Sequence, residues 1–344
     1  LVKIYYNKIV CLIIKVNKGE TILGITITKT GKALPRKIVT NDEMAALVDT
    51  NHDWIVERTG IHQRHVVVEE SNLELALKAS EEALIETDRS TVDLVIFSTI
   101  TPDRLVPCMG SLLKRELGLS HAVAFDLNAA CSGFIFGVWT AEALMKSNGY
   151  QKALVVGAEC LSRITNWEDR GTCVLFGDGA GVALLEDIPN EPGILSSYVM
   201  SYDDPKEVLA CGMLYPKTPF EGEVREEIPM HITMNGTQVF KFAVNAIGEV
   251  MQEAIHRANL TYQDIDFFVP HQANMRIIQS AAQKTGQPLE KFQISIKNTG
   301  NVSSASVPMA LDDLMKTGKI KKGNRIMLMG FGGGLSAGAM IYQV

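Results

Sequence analysis

The chain has 344 residues, 46% hydrophobic and 21% charged, with 28 glycines: the profile of an ordinary soluble α/β protein with room for one large or two fused domains. A formal net charge of −6 and a pI near 5.7 exclude a global field that draws in nucleic acid or an anionic membrane, so an acidic partner must dock on a local basic patch. The six cysteines form no C-x-x-C and no metal-like grouping with the seven histidines, which argues against zinc and a disulfide scaffold and fits a reducing cytoplasm.

Leu1 to Glu20 is apolar and lysine-rich, but its uninterrupted apolar run, Ile9 to Ile14, is too short for a signal peptide or a membrane span. Residues 1–22 are expected to be a dispensable extension or an upstream artefact of gene calling: Lys18-Gly19-Glu20 fits a purine-rich tract ahead of a start at Leu23. From Ile25 onward, strand and helix patterns alternate. Asn72 to Thr87 has helical periodicity, followed by an apolar strand from Val92 to Ser98.

Ala122-Val-Ala-Phe-Asp126 then reads as a buried strand. Ser132 to Ser147 reads as a helix that is apolar almost all round and closed by the C-cap signal Asn148-Gly149. Cys131 stands at the junction of the two. Unpaired N–H groups and the positive end of the helix dipole there favour thiolate, the nucleophilic form. Position alone leaves two readings of Cys131, an activated nucleophile or a small buried hydrophobe. Further on, Gly177-Asp-Gly-Ala-Gly181 superficially fits a nucleotide loop, but it leads into the strand Val182 to Leu185 rather than a helix, which rejects a dinucleotide site.

The same order of elements returns with a helix from about Thr237 to Ala258 and a strand from Ile265 to Pro270. Val92 to Phe97 aligns with Ile265 to Pro270, and Lys152 to Gly157 with Arg325 to Gly330, each at an offset of 173 (265 minus 92; 325 minus 152). At that shift Cys131 falls on Ser304, so a duplication is predicted, with halves 23–190 and 191–344 meeting near Asn190-Glu-Pro-Gly193. Equivalents of the cysteine loop should then face it across a pseudo-twofold axis. Three polar segments of the second half end strands or open helices: His271 in Val269 to Asn274, Asn301 in Asn298 to Ser306, and Gly332-Gly-Gly334. Taken singly, each is equally a structural histidine, a turn or a tight bend.

Together, and in this order, these segments resemble β-ketoacyl-[acyl-carrier-protein] synthase III, of the thiolase superfamily. The match runs from roughly Ile25 to Val344 and includes Asp49 to Ile61, Ile100 to Asp103, Asp126 to Phe134, Asp169 to Thr172, Phe176 to Gly181, Val269 to Asn274, Gly300-Asn301 and Gly330 to Gly334. The resemblance implies an α/β fold of five layers, αβαβα, with two duplicated halves. It carries a catalytic set onto Cys131, His271 and Asn301, and an oxyanion hole onto the N–H groups of Cys131 and Gly333. The implied reaction is a two-stage decarboxylative Claisen condensation of an acyl-CoA starter with malonyl-ACP through an acyl-cysteine. It needs no metal or redox cofactor.

Coenzyme A binding is carried over to Trp54, Arg58, Arg170 and Asn274, and contact with acyl carrier protein to Arg276, with Lys241 and Lys284 as helpers. Without the resemblance, Trp54 reads as a packing residue and Arg170 as the partner of Asp169. A cytoplasmic homodimer is implied, with no nucleic-acid or membrane partner. Val106 departs from the usual Phe contributed to the acyl pocket across the dimer interface, and Cys108 and Met109 also replace small residues, so a longer or branched starter is expected. Val302 and the absence of Trp near Ala337 are further departures. The alternatives are a sibling enzyme that loads starters for polyketide or other secondary metabolism, a non-catalytic partner subunit and a cysteine hydrolase.

Overall fold

The computed structural model describes residues 24–212, 220 and 229–344; the expectation for residues 1–22 lies outside them. The first sheet orders its strands Ile25–Ala33, Asp178–Asp187, Lys152–Cys160, Leu94–Ser98, Val123–Leu127. The second orders Gly193–Ser201, Ser336–Gln343, Arg325–Gly332, Phe267–Pro270, so it repeats the first up to its fourth strand. Where the fifth would lie, an isolated parallel bridge joins Phe268 to Phe292. In each sheet the first three strands in these orders pair antiparallel and the strands beyond them pair parallel.

Apolar runs form these strands because both of their faces are covered. Leu94 and Ile96 point inward, into a core shared with the helices Gly133–Asn148 and Ser306–Lys316 and with Ile326 and Leu328 of the second sheet. Val95 and Phe97 point outward, under Asn72–Ala83 and Met109–Glu116. Gly236–Ala258 and Met275–Thr285 cover the outer face of the second sheet. The result is five layers, αβαβα, in two duplicated halves. The 173-residue offset recurs at Leu94 and Phe267, at the 3₁₀ turns Ala130–Ser132 and Ser303–Ala305, and at the helix starts Gly133 and Ser306.

Local chemistry sets the ends. Ser71 and Glu74 form a capping box that starts the Asn72 helix, and Gly149, at φ 68°, closes the Gly133 helix with its N–H on the Met145 carbonyl. The Asn72 helix stops at Ala83 rather than Thr87, since the chain turns through Glu86 at φ 58°. The largest departure concerns Val123–Leu127. It is the open edge of the first sheet and not a buried strand, with Val123 49% exposed. Trp139, on the mostly buried helix that follows, is exposed as well. Among the described residues no helix is long and apolar enough to cross a membrane.

Candidate active site

Cys131 occupies the middle of the 3₁₀ turn Ala130–Ser132, at the N-terminus of the central helix Gly133–Asn148. Ala130, at φ 44°, takes the left-handed conformation that aims the turn, and Ser132 Oγ lies 2.6 Å from Ser336 Oγ of the opposite half. The Cys131 backbone rests on the second half's strand: a β-carbon on Gly332 would fall 2.6 Å from the Cys131 nitrogen. Only glycine fits there. Gly333, expected as the second oxyanion donor, lines the same cavity as Cys131. That cavity has a volume of about 970 Å³, and its walls include Ile100, Leu127, Phe136, Phe176, Leu209 and Ile232.

Burial pushes the Cys131 thiol up to about 11, although the Ser303 hydroxyl acts in the opposite direction. Burial therefore opposes the thiolate that the helix N-terminus favours.

His271 follows the strand Phe267–Pro270 directly, and its N–H donates to the Met329 carbonyl at 2.8 Å. It is 1% exposed, and burial lowers its pKa to about 3, so the imidazole is neutral. Its Nδ1 is paired with Ser306 Oγ, which also takes the Gln272 N–H at 3.4 Å. Ser306 thus holds the ring through Nδ1, and among the described residues no hydrogen bond engages Nε2. The edge of Phe331 packs against the ring at a centroid distance of 5.0 Å.

Asn301 is anchored at both backbone ends: its N–H donates to the Leu175 carbonyl at 2.9 Å and its carbonyl accepts from Gly177 N–H at 3.0 Å. Its side-chain oxygen accepts from Ser303 N–H at 2.9 Å, which leaves the amide NH₂ as the donor end. The glycine run at 177–181, rejected as a nucleotide loop, thus has a structural part. A β-carbon on Gly177 would lie 2.3 Å from the Thr299 carbonyl oxygen, so glycine is what lets the Asn301 loop approach.

The remaining expected residues lie elsewhere on the molecule. Trp54, on the helix His52–Thr59, carries Arg170 over its ring at 4.9 Å and Arg58 at 5.4 Å. Arg170 pairs with Asp49, donating to its carbonyl at 2.7 Å; Asp169 is taken up by Gly171 N–H and Thr172 Oγ1. Asn274 caps the helix Met275–Thr285 and donates to the Arg58 carbonyl at 3.1 Å. Arg276, on the same helix, donates to the Glu57 carbonyl, and Lys284, in the last turn, lies against Gly248 of the helix that carries Lys241. Val106 is 85% exposed and lies outside the wall of its own chain's cavity. Met109 does not alter that wall as expected; it is buried under the outer helices, and Cys108 is outside the wall too.

The chain matches the family model described as 3-oxoacyl-[acyl-carrier-protein (ACP)] synthase III over residues 125–203 and its C-terminal counterpart over 255–344. It is 42% identical over 322 residues to the β-ketoacyl-[acyl-carrier-protein] synthase III of Clostridium acetobutylicum, covering 93% of this chain and 98% of that protein. The chain belongs to the β-ketoacyl-[acyl-carrier-protein] synthase III family. The synthase of Alkalilimnicola ehrlichii is 43% identical, over 92% of this chain and 98% of its own. The solved 3-oxoacyl-[acyl-carrier-protein] synthase III of Aquifex aeolicus has a TM-score of 0.87 and 36% identity, covering 93% of this chain and 100% of that one. Like its relatives, the chain is an acyltransferase-type condensing enzyme.

Within this β-ketoacyl synthase III fold, three site residues carried no signal in the sequence. Ser306 orients His271, and Ser303 faces Cys131. Gln272, 1% exposed, donates to the Pro270 and Gln293 carbonyls and accepts from Ser295 and Ile296 N–H, tying the His271 loop to the segment before Asn301. The Asn-Thr-Gly-Asn turn gave the region but not these partners.

Proposed function

We propose that this enzyme initiates fatty-acid synthesis by condensing an acyl-CoA starter with malonyl-ACP. Cys131 attacks the starter thioester, CoA leaves with the thiol proton, and an acyl-enzyme remains. The N–H groups of Cys131 and Gly333 receive the tetrahedral oxyanion. Malonyl-ACP then loses CO₂, and the resulting enolate is held by two neutral donors, His271 Nε2–H and the Asn301 NH₂. The enolate carbon attacks the acyl carbonyl, giving β-ketoacyl-ACP, and Cys131 takes back a proton. The malonyl carboxylate stores the driving force, so the reaction as proposed draws on no metal or redox cofactor.

The observation that carries this reading is the neutral, Ser306-oriented His271. A buried imidazole near pKa 3 is a poor base at neutral pH but a preorganised hydrogen-bond donor, which is what a developing enolate requires. The Trp54–Arg170–Arg58 stack supports a site for the coenzyme A adenine, with Asn274 fixing the adjoining backbone. Arg276, Lys241 and Lys284 supply the basic patch for the acidic carrier protein. The open edge Val123–Leu127 supports a homodimer, and the exposed Leu105 and Val106 support one in which Val106 reaches the partner's acyl pocket. Free thiols at Cys108, Cys131, Cys160, Cys173 and Cys211 support a cytoplasmic location.

Mass spectrometry tests the scheme. Acyl-CoA alone should add one acyl group to Cys131 and release one equivalent of CoA, and malonyl-ACP should then discharge it as β-ketoacyl-ACP. Steady CoA release without malonyl-ACP would identify a hydrolase instead.

A further inference from the structure

The 173-residue offset gives each residue of the Cys131 site a counterpart in the opposite half. Ser304 answers to Cys131, Ser98 to His271, Asn128 to Asn301 and Glu159 to Gly332. The backbone keeps the correspondence, with Ala130 at φ 44° and Ser303 at φ 46° opening the two turns. The first sheet also approaches the Ser304 turn through a glycine: a β-carbon on Gly157 would lie 2.5 Å from the Ser304 carbonyl oxygen. What differs is the contents. Beside Cys131, Gly332 has no side chain and lets the turn rest on the strand, whereas on the other side the fully buried side chain of Glu159 meets Ser304.

None of the ion pairs among the described residues includes Glu159. Its neighbours are hydroxyls and one N–H. Thr99 Oγ1 accepts from Asn72 Nδ2 and Thr101 N–H, so its own hydrogen goes to Glu159 Oε2, 3.1 Å away. Thr101 Oγ1 accepts from Cys160 N–H and donates to the same oxygen at 2.7 Å, where Ile100 N–H also arrives at 3.1 Å. Three donors therefore converge on Oε2. The other oxygen, Oε1, meets Ser304 Oγ at 2.8 Å, and that hydroxyl also lies 3.0 Å from the Ser98 carbonyl oxygen. Carbonyl and carboxylate can only accept, and Ser304 has one hydrogen for two acceptors. A proton on Oε1 completes the chain: Glu159 donates to Ser304, and Ser304 donates to Ser98.

We propose that Glu159 is a buried carboxylic acid, protonated at neutral pH, and that it positions the Ser304 turn, with Asn301 and Ser303, against Cys131 without setting a negative charge beside the nucleophile. Burial favours the neutral form, and an ionised Glu159 would push the Cys131 thiol further up. The other titratable group nearest along its strand is Cys160, on which Asp178, Asp103 and Arg163 also act. This role rests on Cys131 being the nucleophile.

Glu159→Gln tests the proton directly, since an amide oxygen can accept the three donors and its NH₂ can donate to Ser304. The pH dependence of Cys131 alkylation by iodoacetamide should agree between wild type and Glu159→Gln to within about half a pH unit. Infrared difference spectra at pH 7 should show a protonated carboxyl band in wild type that Glu159→Gln lacks. Glu159→Leu should slow decarboxylation of malonyl-ACP on the order of tenfold, with Gln retaining most of the rate that Leu loses. A fall of about one unit or more in the alkylation pKa of Glu159→Gln would reveal a charge in the wild type and overturn the proposal, as would the absence of the infrared band. If Glu159→Leu does not fold, the Gln variant and the infrared band still decide. Neither measurement uses substrate, so failure of acyl-CoA to acylate Cys131 would count against the proposed reaction and not against the protonated Glu159.

Discussion

Gly332 lies directly against Cys131, where a β-carbon would fall 2.6 Å from the cysteine nitrogen and 3.1 Å from its Cβ. The atoms it would meet are backbone and Cβ of a turn already committed to a positive φ at Ala130, so they cannot swing aside as a flexible side chain would. Gly332→Ala should therefore displace the nucleophile by a few tenths of an ångström or more and cut acylation by acyl-CoA on the order of 100-fold. Circular dichroism should remain that of the folded enzyme. A wild-type burst of CoA from this variant would show that the turn tolerates the shift.

Burial of His271 gives stability a pH dependence of definite sign. The native imidazole has its pKa lowered to about 3, while an exposed histidine in the unfolded chain titrates near about 6.5. Above that upper value neither state binds the proton and the histidine contributes no slope. As the pH falls from there toward 3, the unfolded state gains a proton that the native state refuses, and folding loses about 1.4 kcal/mol per pH unit. Urea unfolding at a series of pH values should show this loss in wild type, and Glu or Asp titrations common to both proteins cancel in comparison with His271→Gln. Equal slopes for the two proteins would mean that His271 titrates normally in the fold.

Ser306 holds the His271 ring through Nδ1, so its removal should be felt in only one half-reaction. In Ser306→Ala, Nδ1 loses its hydroxyl partner and the ring its orientation. Decarboxylation of malonyl-ACP should slow roughly tenfold, while the single-turnover burst of acyl-CoA on Cys131 is preserved. Equal losses in both steps would point to a general disturbance of the core rather than a misoriented ring.

What could be read from the sequence follows the physics of each element. The strands Leu94–Ser98 and Phe267–Pro270 are legible because burial on both faces demands an apolar run, and their equivalence is legible because the duplication preserves the spacing. The edge position of Val123–Leu127 was not, because an apolar run looks the same whether a helix layer or another chain covers it. The end of the Asn72 helix was missed because Leu84 and Ile85 continue the apolar period past the point where the backbone turns. Cys131, His271 and Asn301 are singled out by the order of the motifs that hold them, since each taken alone reads equally as a structural residue. Ser306 and Glu159 are not: their partners lie 35 and 145 residues away, and a hydroxyl or carboxyl gives no local sign of whom it will meet. The burial that opposes a Cys131 thiolate is hidden for a related reason, since the helix N-terminus is visible in sequence and the depth of burial is not.

The edge strand carries the last prediction. Val123–Leu127 pairs on one side with Leu94–Ser98, and its other side has no strand partner among the described residues, although Val123 there is apolar and 49% exposed. An open apolar edge invites pairing with a second copy, and natural edges that stay monomeric are usually blunted by charge. Light scattering should find a dimer, and Val123→Lys should weaken it by roughly tenfold or more in Kd, since a lysine buried without a partner costs more than a lost apolar contact returns. If Val106 reaches across that interface, Val106→Phe should shift the preferred starter toward shorter acyl chains in the dimer, and dissociation through Val123→Lys should blunt the effect. A wild-type monomer at micromolar concentration would remove the interface, and an unchanged chain-length preference in Val106→Phe would leave the interface standing but place the acyl pocket wholly within one chain.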